Sequence, residues 1–471
     1  MPLVLGIDSS TQSTKVELRD AETGELVGSG RAPHPATSPP RSEQDPAAWS
    51  EALVEARHQA GTPPVVAMAV AAQQHGLVAL DERSRVIRPA KLWNDTESAP
   101  DAAWLVDKLG GPAAWAEAVG VVPVASFTIS KLSWLHRVEP ENFARIARVL
   151  LPHDWLTFRM SGRFTTDRGD ASGTGYWSAA EGRWRTDLLA LVDETKDWDA
   201  CLPEVLGPME VVRERDGAVI APGTGDNMAA ALGARVAPGQ VAISIGTSGT
   251  VFTVSDEPVV DPKGYVAGFA DATGRFLPLA CTLNATRVVE TFARLLQVDL
   301  QRFDELALAA PPGAGGLVLL PYFDGERTPN LPDAAGTLSG LRSDVTPEQV
   351  ARAAVEGVVC GLLDALDALR VSGAYLHGRH PIVLMGGGSQ SHAFQRVLAD
   401  LARRPVLVPG GEPVATGACV QAAAALHQTP PEEVARTWEL GTGHVVETDY
   451  GVDARAIRSA YAEMRDRDYV S

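Results

Sequence analysis

The segment LVLGIDSSTQSTKVELRD, residues 3–20, opens with the buried-strand pattern LVLGID and turns sharply at SSTQ. It returns as STKVELRD, so it reads as an antiparallel hairpin with a hydroxyl-rich tip. A second copy of the device lies in the other half of the chain. There VAISIG is the strand, TSG the tight turn and TVFTV the return, residues 241–254. The likeness is of pattern more than of letters, and it predicts two related α/β halves. Tips made of Ser, Thr and Gly offer hydroxyls and free backbone N–H groups, which is the lining phosphate oxygens need. Either tip alone is an ordinary β-hairpin; a pair, each after a buried strand, points to a triphosphate.

Outward from the first hairpin, LVGSGRA continues the sheet. Asp45 and Pro46 form an N-cap and first-turn pair for the helix PAAWSEALVEARHQA. VVAMAVAA is a further buried strand, ending in the polar QQHGL. In the second half, PIVLM is a strand ending in GGGSQS, followed by the helical pattern HAFQRVLADLARR. Residues 347–370 carry helical spacing through Val350, Ala353, Ala354, Val358, Leu362, Leu366 and Leu369, a helix expected to pack between sheets.

With 471 residues, 45% hydrophobic and 21% charged, the chain is globular and long enough for two or more domains. Its formal net charge of −18 disfavours nucleic acid as a partner, and an anionic substrate would need local positive sites made by loops and helix ends. Cys201, Cys281, Cys360 and Cys419 are widely spaced without CxxC, which suggests neither a disulfide frame nor a zinc site. The amino terminus lacks a signal-peptide pattern, and the apolar runs are too short to span a bilayer. No membrane partner and a cytoplasmic location are therefore expected.

Asp8 ends its strand beside the first tip, where a carboxylate can hold Mg²⁺ through the ion's own waters. GGGSQS gives a backbone that a nucleoside can approach closely, although it is neither a Rossmann fingerprint nor a P-loop. Asp226, in PGTGDNMAAALG, reads in isolation as a turn residue or a helix N-cap.

These motifs together resemble the FGGY carbohydrate kinases, nearly end to end. The resemblance is carried by GIDSSTQSTK, QQHG (the family's QMHG), LWND, LLPHDWLTFRMSGRFTTDRGDASGT, GDN, SIGTSGT, PYFDGERTP, GTLSGLRSDVTPEQVARAAVE and MGGGSQS. It implies two ribonuclease-H-like, actin-type domains flanking a cleft, residues 1–225 on the sugar side and 226–471 binding mostly ATP. It further implies ATP-dependent phosphorylation of D-xylulose to D-xylulose 5-phosphate with Mg²⁺, or of another sugar or polyol such as ribulose or glycerol. Asp226 then matches the catalytic base, and Gln74 and His75 the substrate-binding pair. Trp93, Asn94 and Asp95 complete the sugar pocket, and Asn227 holds a second hydroxyl. Thr11 and Thr247 are matched to the phosphates, Gly246 and Gly249 to the turn, and Gly387, Gly388 and His392 to the nucleoside. Asp324, Glu326 and Arg327 form an ion-paired supporting loop, and Trp104 and Trp115 are packing residues. Gln74 in place of the family's Met, and no Arg two positions after Asp95, bear on which sugar is taken. A homodimer is compatible with the resemblance. A non-enzymatic nucleotide switch would need no sugar pocket, and a sugar-sensing regulator would need a DNA-binding motif that the sequence lacks.

Overall fold

The computed structural model describes residues 1–215 and 217–469. The chain forms two units. The first comprises Met1–Arg235, Asp256–Leu277 and Gly411–Gly441; the second comprises Val236–Ser255, Pro278–Gly410 and Thr442–Ser471. The first unit thus draws on segments from both sides of residue 225.

In the first unit the strands Leu3–Ser9 and Ser13–Asp20 form the expected hairpin, with Ser9 opposite Thr14 and Asp8 opposite Lys15. Leu26–Pro33 adds antiparallel on one side, and Ala67–Ala72 and then Ala218–Ile220 add parallel on the other. The alternation of the hairpin sends Ile7, Val16 and Leu18 into a core with Trp49, Val70 and Trp155. The helix Pro46–Gln59 starts where Asp45 accepts from the Ala47 N–H, with Pro46 at its first position. It buries Trp49, whose ring meets Trp155 edge-on at 6.0 Å and whose indole N–H donates to Gln44.

The alanine-rich helix Pro413–His427 packs against the short helix Asp226–Gly233. A Cβ on Gly417 would lie 2.0 Å from the Ala229 carbonyl oxygen, and one on Gly233 would lie 1.9 Å from that of Pro413. Only glycine permits backbones to approach this closely. The two glycines therefore fix the seat of the helix that begins at Asp226.

In the second unit Val241–Ile245 and Gly249–Thr253 repeat the hairpin, with Ile245 opposite Gly249. Gly249–Phe252 pairs antiparallel with Leu279–Thr282, and Ile382–Met385 and then Val406–Pro409 add parallel on the other side. The long helix Pro347–Val371 opens with a capping box: Thr346 accepts from the Gln349 N–H, and Gln349 accepts from the Thr346 N–H. As expected, it packs between sheets, against the strand Gly249–Thr253 and against Val318–Leu320 of a two-stranded ribbon. Its residues are buried on nearly every face because, among the described residues, four further α-helices pack on it.

Trp115 is fully buried and donates its indole N–H to the Leu105 carbonyl. Trp104 is not a packing residue. It is 45% exposed on the outer face of the helix Ala99–Leu109, with the Lys108 ammonium 4.4 Å from its ring centroid. The four cysteines are free thiols. Among the described residues, no helix is long and apolar enough to cross a membrane.

Candidate active site

Gln74 and His75 follow the end of the strand Ala67–Ala72. His75 sits there at φ = 64°, a left-handed backbone that a side-chain-bearing residue adopts only when its surroundings enforce it. Here the enforcement is visible. The His75 carbonyl accepts from Thr128 Oγ1 at 3.3 Å and from Lys131 Nζ at 3.0 Å. Lys131 is fully buried, and burial pulls its ammonium well below the ordinary lysine value. The imidazole packs on Phe127 and Phe269, with centroids at 4.9 and 5.4 Å. A Cβ on Gly173 would lie 2.1 Å from the ring. That glycine belongs to the TTDRGDASGT segment, a contact that the sequence reading did not foresee.

Asp226 is the first residue of its helix, and Gly225 occupies the N-cap position. Its role is therefore not that of a cap. Its Oδ1 accepts from the Asn227 backbone N–H at 2.8 Å and from Asn227 Nδ2 at 3.0 Å. Loss of solvation raises the Asp226 carboxyl to about 7, and the nearby Asp8 and Asp170 charges add to the rise; the Asn227 donors oppose it. A carboxylate poised near neutrality suits a general base. Asn227 Nδ2 also donates to Gln74 Oε1 at 2.8 Å, so Gln74, Asn227 and Asp226 form one connected set. Gln74 Nε2, both amide atoms of Gln73 and Asn94 Oδ1 are buried without a hydrogen-bond partner. Buried polar atoms rarely stay unpaired, and a polyhydroxy ligand supplies both donors and acceptors.

Trp93 donates its indole N–H to Thr11 Oγ1 at 2.8 Å, which ties the sugar-side loop to the first hairpin tip and leaves the Thr11 hydroxyl proton free to donate. Asp95, by contrast, does not line a pocket. It is fully buried; one oxygen accepts from Lys91 Nζ and the Ser42 N–H, the other from the Glu97 N–H. Glu43, Asp95 and Glu97 bring their oxygens together as metal ligands would, but the Lys91 ammonium sits among them at 3.2, 2.8 and 2.7 Å and supplies the positive charge.

Asp8 is buried. Its Oδ1 accepts from Ser10 Oγ at 2.5 Å, and Lys15 Nζ lies 3.7 Å from Oδ2. Burial raises its carboxyl, with Lys15 and Ser10 opposing. A further buried group went unassigned in the sequence: His153 Nδ1 bonds Asp170 at 2.8 Å, while its Nε2 faces Asp154 and Asp167 at 3.1 and 3.7 Å. Burial opposes the imidazolium, yet these three carboxylates lift its pKa to about 9.

In the second unit, the tip carbonyls of Gly246 and Thr247 accept from Thr286 and Ala285 N–H groups, so the start of the helix Thr286–Leu296 holds the turn. A Cβ on Gly249 would meet Leu362 at 2.5 Å. A Cβ on Gly388 would meet Ile245 at 2.4 Å, whereas one on Gly387 would meet open space. Gly388 thus serves packing, and Gly387 offers bare backbone. His392, exposed, begins the helix His392–Ala402, but its N–H already donates to Asp304 Oδ2 at 3.0 Å. Asp304 also takes the Ser391 hydroxyl and the Ala393 N–H, so a carboxylate 87 positions earlier caps this helix. The supporting loop is only partly ion-paired. Asp324 pairs with Arg287 at 2.9 Å, but Glu326 accepts from the Leu283 N–H and Asn284 Nδ2, because a buried carboxylate is satisfied more cheaply by fixed amides.

The chain belongs to the FGGY family of carbohydrate kinases. The family's N-terminal domain matches residues 3–233 and its C-terminal domain matches residues 241–426. The chain is 47% identical over 487 aligned positions to a xylulose kinase of Streptomyces coelicolor, covering 100% of this chain and 98% of the relative. It is likewise 47% identical to a xylulose kinase of Streptomyces rubiginosus, over 95% of this chain and 92% of the relative. The crystal structure of a xylulose kinase from Bifidobacterium adolescentis superposes with a TM-score of 0.85 at 42% identity, covering 98% of this chain and 99% of that one. The two-domain α/β fold is that of these kinases, ribonuclease-H-like and of the actin type.

Proposed function

We propose that the chain phosphorylates D-xylulose to D-xylulose 5-phosphate with ATP. The supporting observation is the Gln74–Asn227–Asp226 set, with its near-neutral carboxyl and unpaired amide atoms, in a chain so similar over its length to xylulose kinases. Asp226 orients the reacting sugar hydroxyl and takes its proton as that oxygen attacks the γ-phosphorus; the O–P bond to ADP breaks as the new one forms. Phosphoryl transfer asks little covalent chemistry of the protein, so positioning and charge neutralisation carry the rate.

Gln74, His75, Trp93, Asn94 and Asn227 are assigned to the sugar. In the first unit Thr11 donates to phosphate. In the second, Gly246 and Thr247 line the phosphates and Gly387 the nucleoside, with Gly388 and His392 flanking it. Asp8 fits a hydrated Mg²⁺: its carboxyl is buried, and among the described residues the cation paired with it, Lys15, stands 3.7 Å away. Bound there, the ion would neutralise phosphate charge. An ADP-release assay over ketopentoses and polyols tests the reading; D-xylulose should give the highest kcat/KM, and a preference for ribulose or glycerol would overturn it.

A further inference from the structure

Gln73 is 1% exposed, and among the described residues neither Oε1 nor Nε2 of its carboxamide has a hydrogen-bond partner. Its place in the first unit is set by the backbone. The strand Ala67–Ala72 runs parallel to Leu3–Ser9 on one side and to Thr224–Gly225 on the other. Asp8, Ala71 and Thr224 form one row of this ladder, and Ser9, Ala72 and Gly225 form the next. Gln73 continues the ladder, because its N–H donates to the Ser9 carbonyl at 3.1 Å. The next residue along each chain is then Ser10 of the first tip, Gln73 in the middle, and Asp226. Side chains alternate along a strand, so Gln73 shares the face of Ala71 and hence of Asp8. Asp8 and Asp226 are near enough for the charge of the first to raise the carboxyl of the second. The amide is thus set between the carboxylate suited to Mg²⁺ and the base, with two N–H donors and an acceptor unspent.

We propose that Gln73 is a further catalytic residue, whose Nε2 donates to an oxygen of the phosphoryl group passing from ATP to the sugar. That group lies between Asp8 and the hydroxyl held at Asp226, and the three-stranded row sets Gln73 between those two carboxylates. A buried, preorganised N–H stabilises the negative charge on the transferring oxygens, and an amide brings no charge of its own to repel them. Buried amide atoms seldom stay unpaired, and the substrate supplies the missing partner. The proposal rests on the reading of Asp226 as the base of a kinase.

The test compares Gln73→Met, which keeps the length and loses the donors, with Gln73→Glu, which keeps an acceptor and adds a charge. Because the amide has no protein partner, Gln73→Met without ligands should melt within about 2 °C of the parent or above it. Its kcat should nevertheless fall at least tenfold, with the KM for D-xylulose and for ATP each within threefold. Gln73→Glu should lose at least as much kcat. A loss of kcat smaller than tenfold in Gln73→Met would mean that the amide serves only buried water. A ligand-free Gln73→Met that melts further below the parent would mean a structural role. Either result overturns the proposal, as does a parental kcat in Gln73→Glu. A readout free of turnover uses protein labelled with ¹⁵N-glutamine, the Gln73 side-chain amide pair being assigned by its loss in Gln73→Met. MgADP with aluminium fluoride, a mimic of the transferring phosphoryl group, should shift that pair, and MgADP alone should move it less. If Asp226→Asn still turns over, or no sugar is phosphorylated, the base or kinase reading fails while Gln73 is still judged by its amide pair. A pair that the fluoride complex leaves unmoved refutes the proposal.

Discussion

Replacing Asp226 by Asn should stop turnover and at the same time stabilise the protein. The carboxyl stands at about 7 against an ordinary value of 3.8, because it loses solvation and faces the charges of Asp8 and Asp170. A group whose folded pKa exceeds its unfolded one binds its proton more tightly in the native state. Stability is therefore lost as pH rises, beginning near 4 and complete above about 7. At about 1.4 kcal/mol per pH unit, that interval corresponds to a penalty on the order of 4 kcal/mol at pH 8. Partial solvent access of the residue makes this a ceiling. Asn keeps the shape, cannot ionise, and cannot take a proton. Loss of a general base costs roughly 10²–10⁴ in rate. Thermal unfolding of both proteins at pH 5 and pH 8, with ADP release at saturating sugar, reads both effects. The variant should melt several degrees above the parent at pH 8, by a smaller margin at pH 5, and show a kcat lower by at least a hundredfold. A variant that melts lower at pH 8, or turns over at the parental rate, refutes the argument.

With the same assay, kcat/KM of the parent should fall on the acid side with an apparent pKa near 7; a profile flat from pH 5 to 8 would remove Asp226 from the base role. His75→Ala should raise the sugar KM by roughly 5- to 150-fold, the equivalent of about 1–3 kcal/mol, and leave the KM for ATP unchanged; equal effects on both substrates would make the histidine structural. Lys91→Met strands the carboxylates of Glu43, Asp95 and Glu97 around a missing ammonium, and denaturant titration should show a loss of about 3–5 kcal/mol in the first unit. Asp304→Ala removes three bonds at the start of the helix His392–Ala402 and should cost about 1 kcal/mol or more and raise the KM for ATP; an unchanged KM would detach Gly387 from the nucleotide.

The two hairpins, the helix that Asp45 starts and the long capped helix from Pro347 were legible in the sequence, because strand alternation, turn residues and caps act over a few neighbouring positions. The motif residues Gln74, His75 and Asp226 were legible as letters in family order. What they touch was not. Trp93 reaches Thr11 across 82 positions, Asn227 reaches Gln74 across 153, and Asp304 caps a helix 87 positions away, and no local period records such partners. Asp95 and Trp104 show the same limit from the other side. A buried ammonium claimed the first and solvent the second, because the balance of burial, charge and hydrogen bonding at a residue is decided by every chain segment packed around it, and that neighbourhood exists only once the chain has folded.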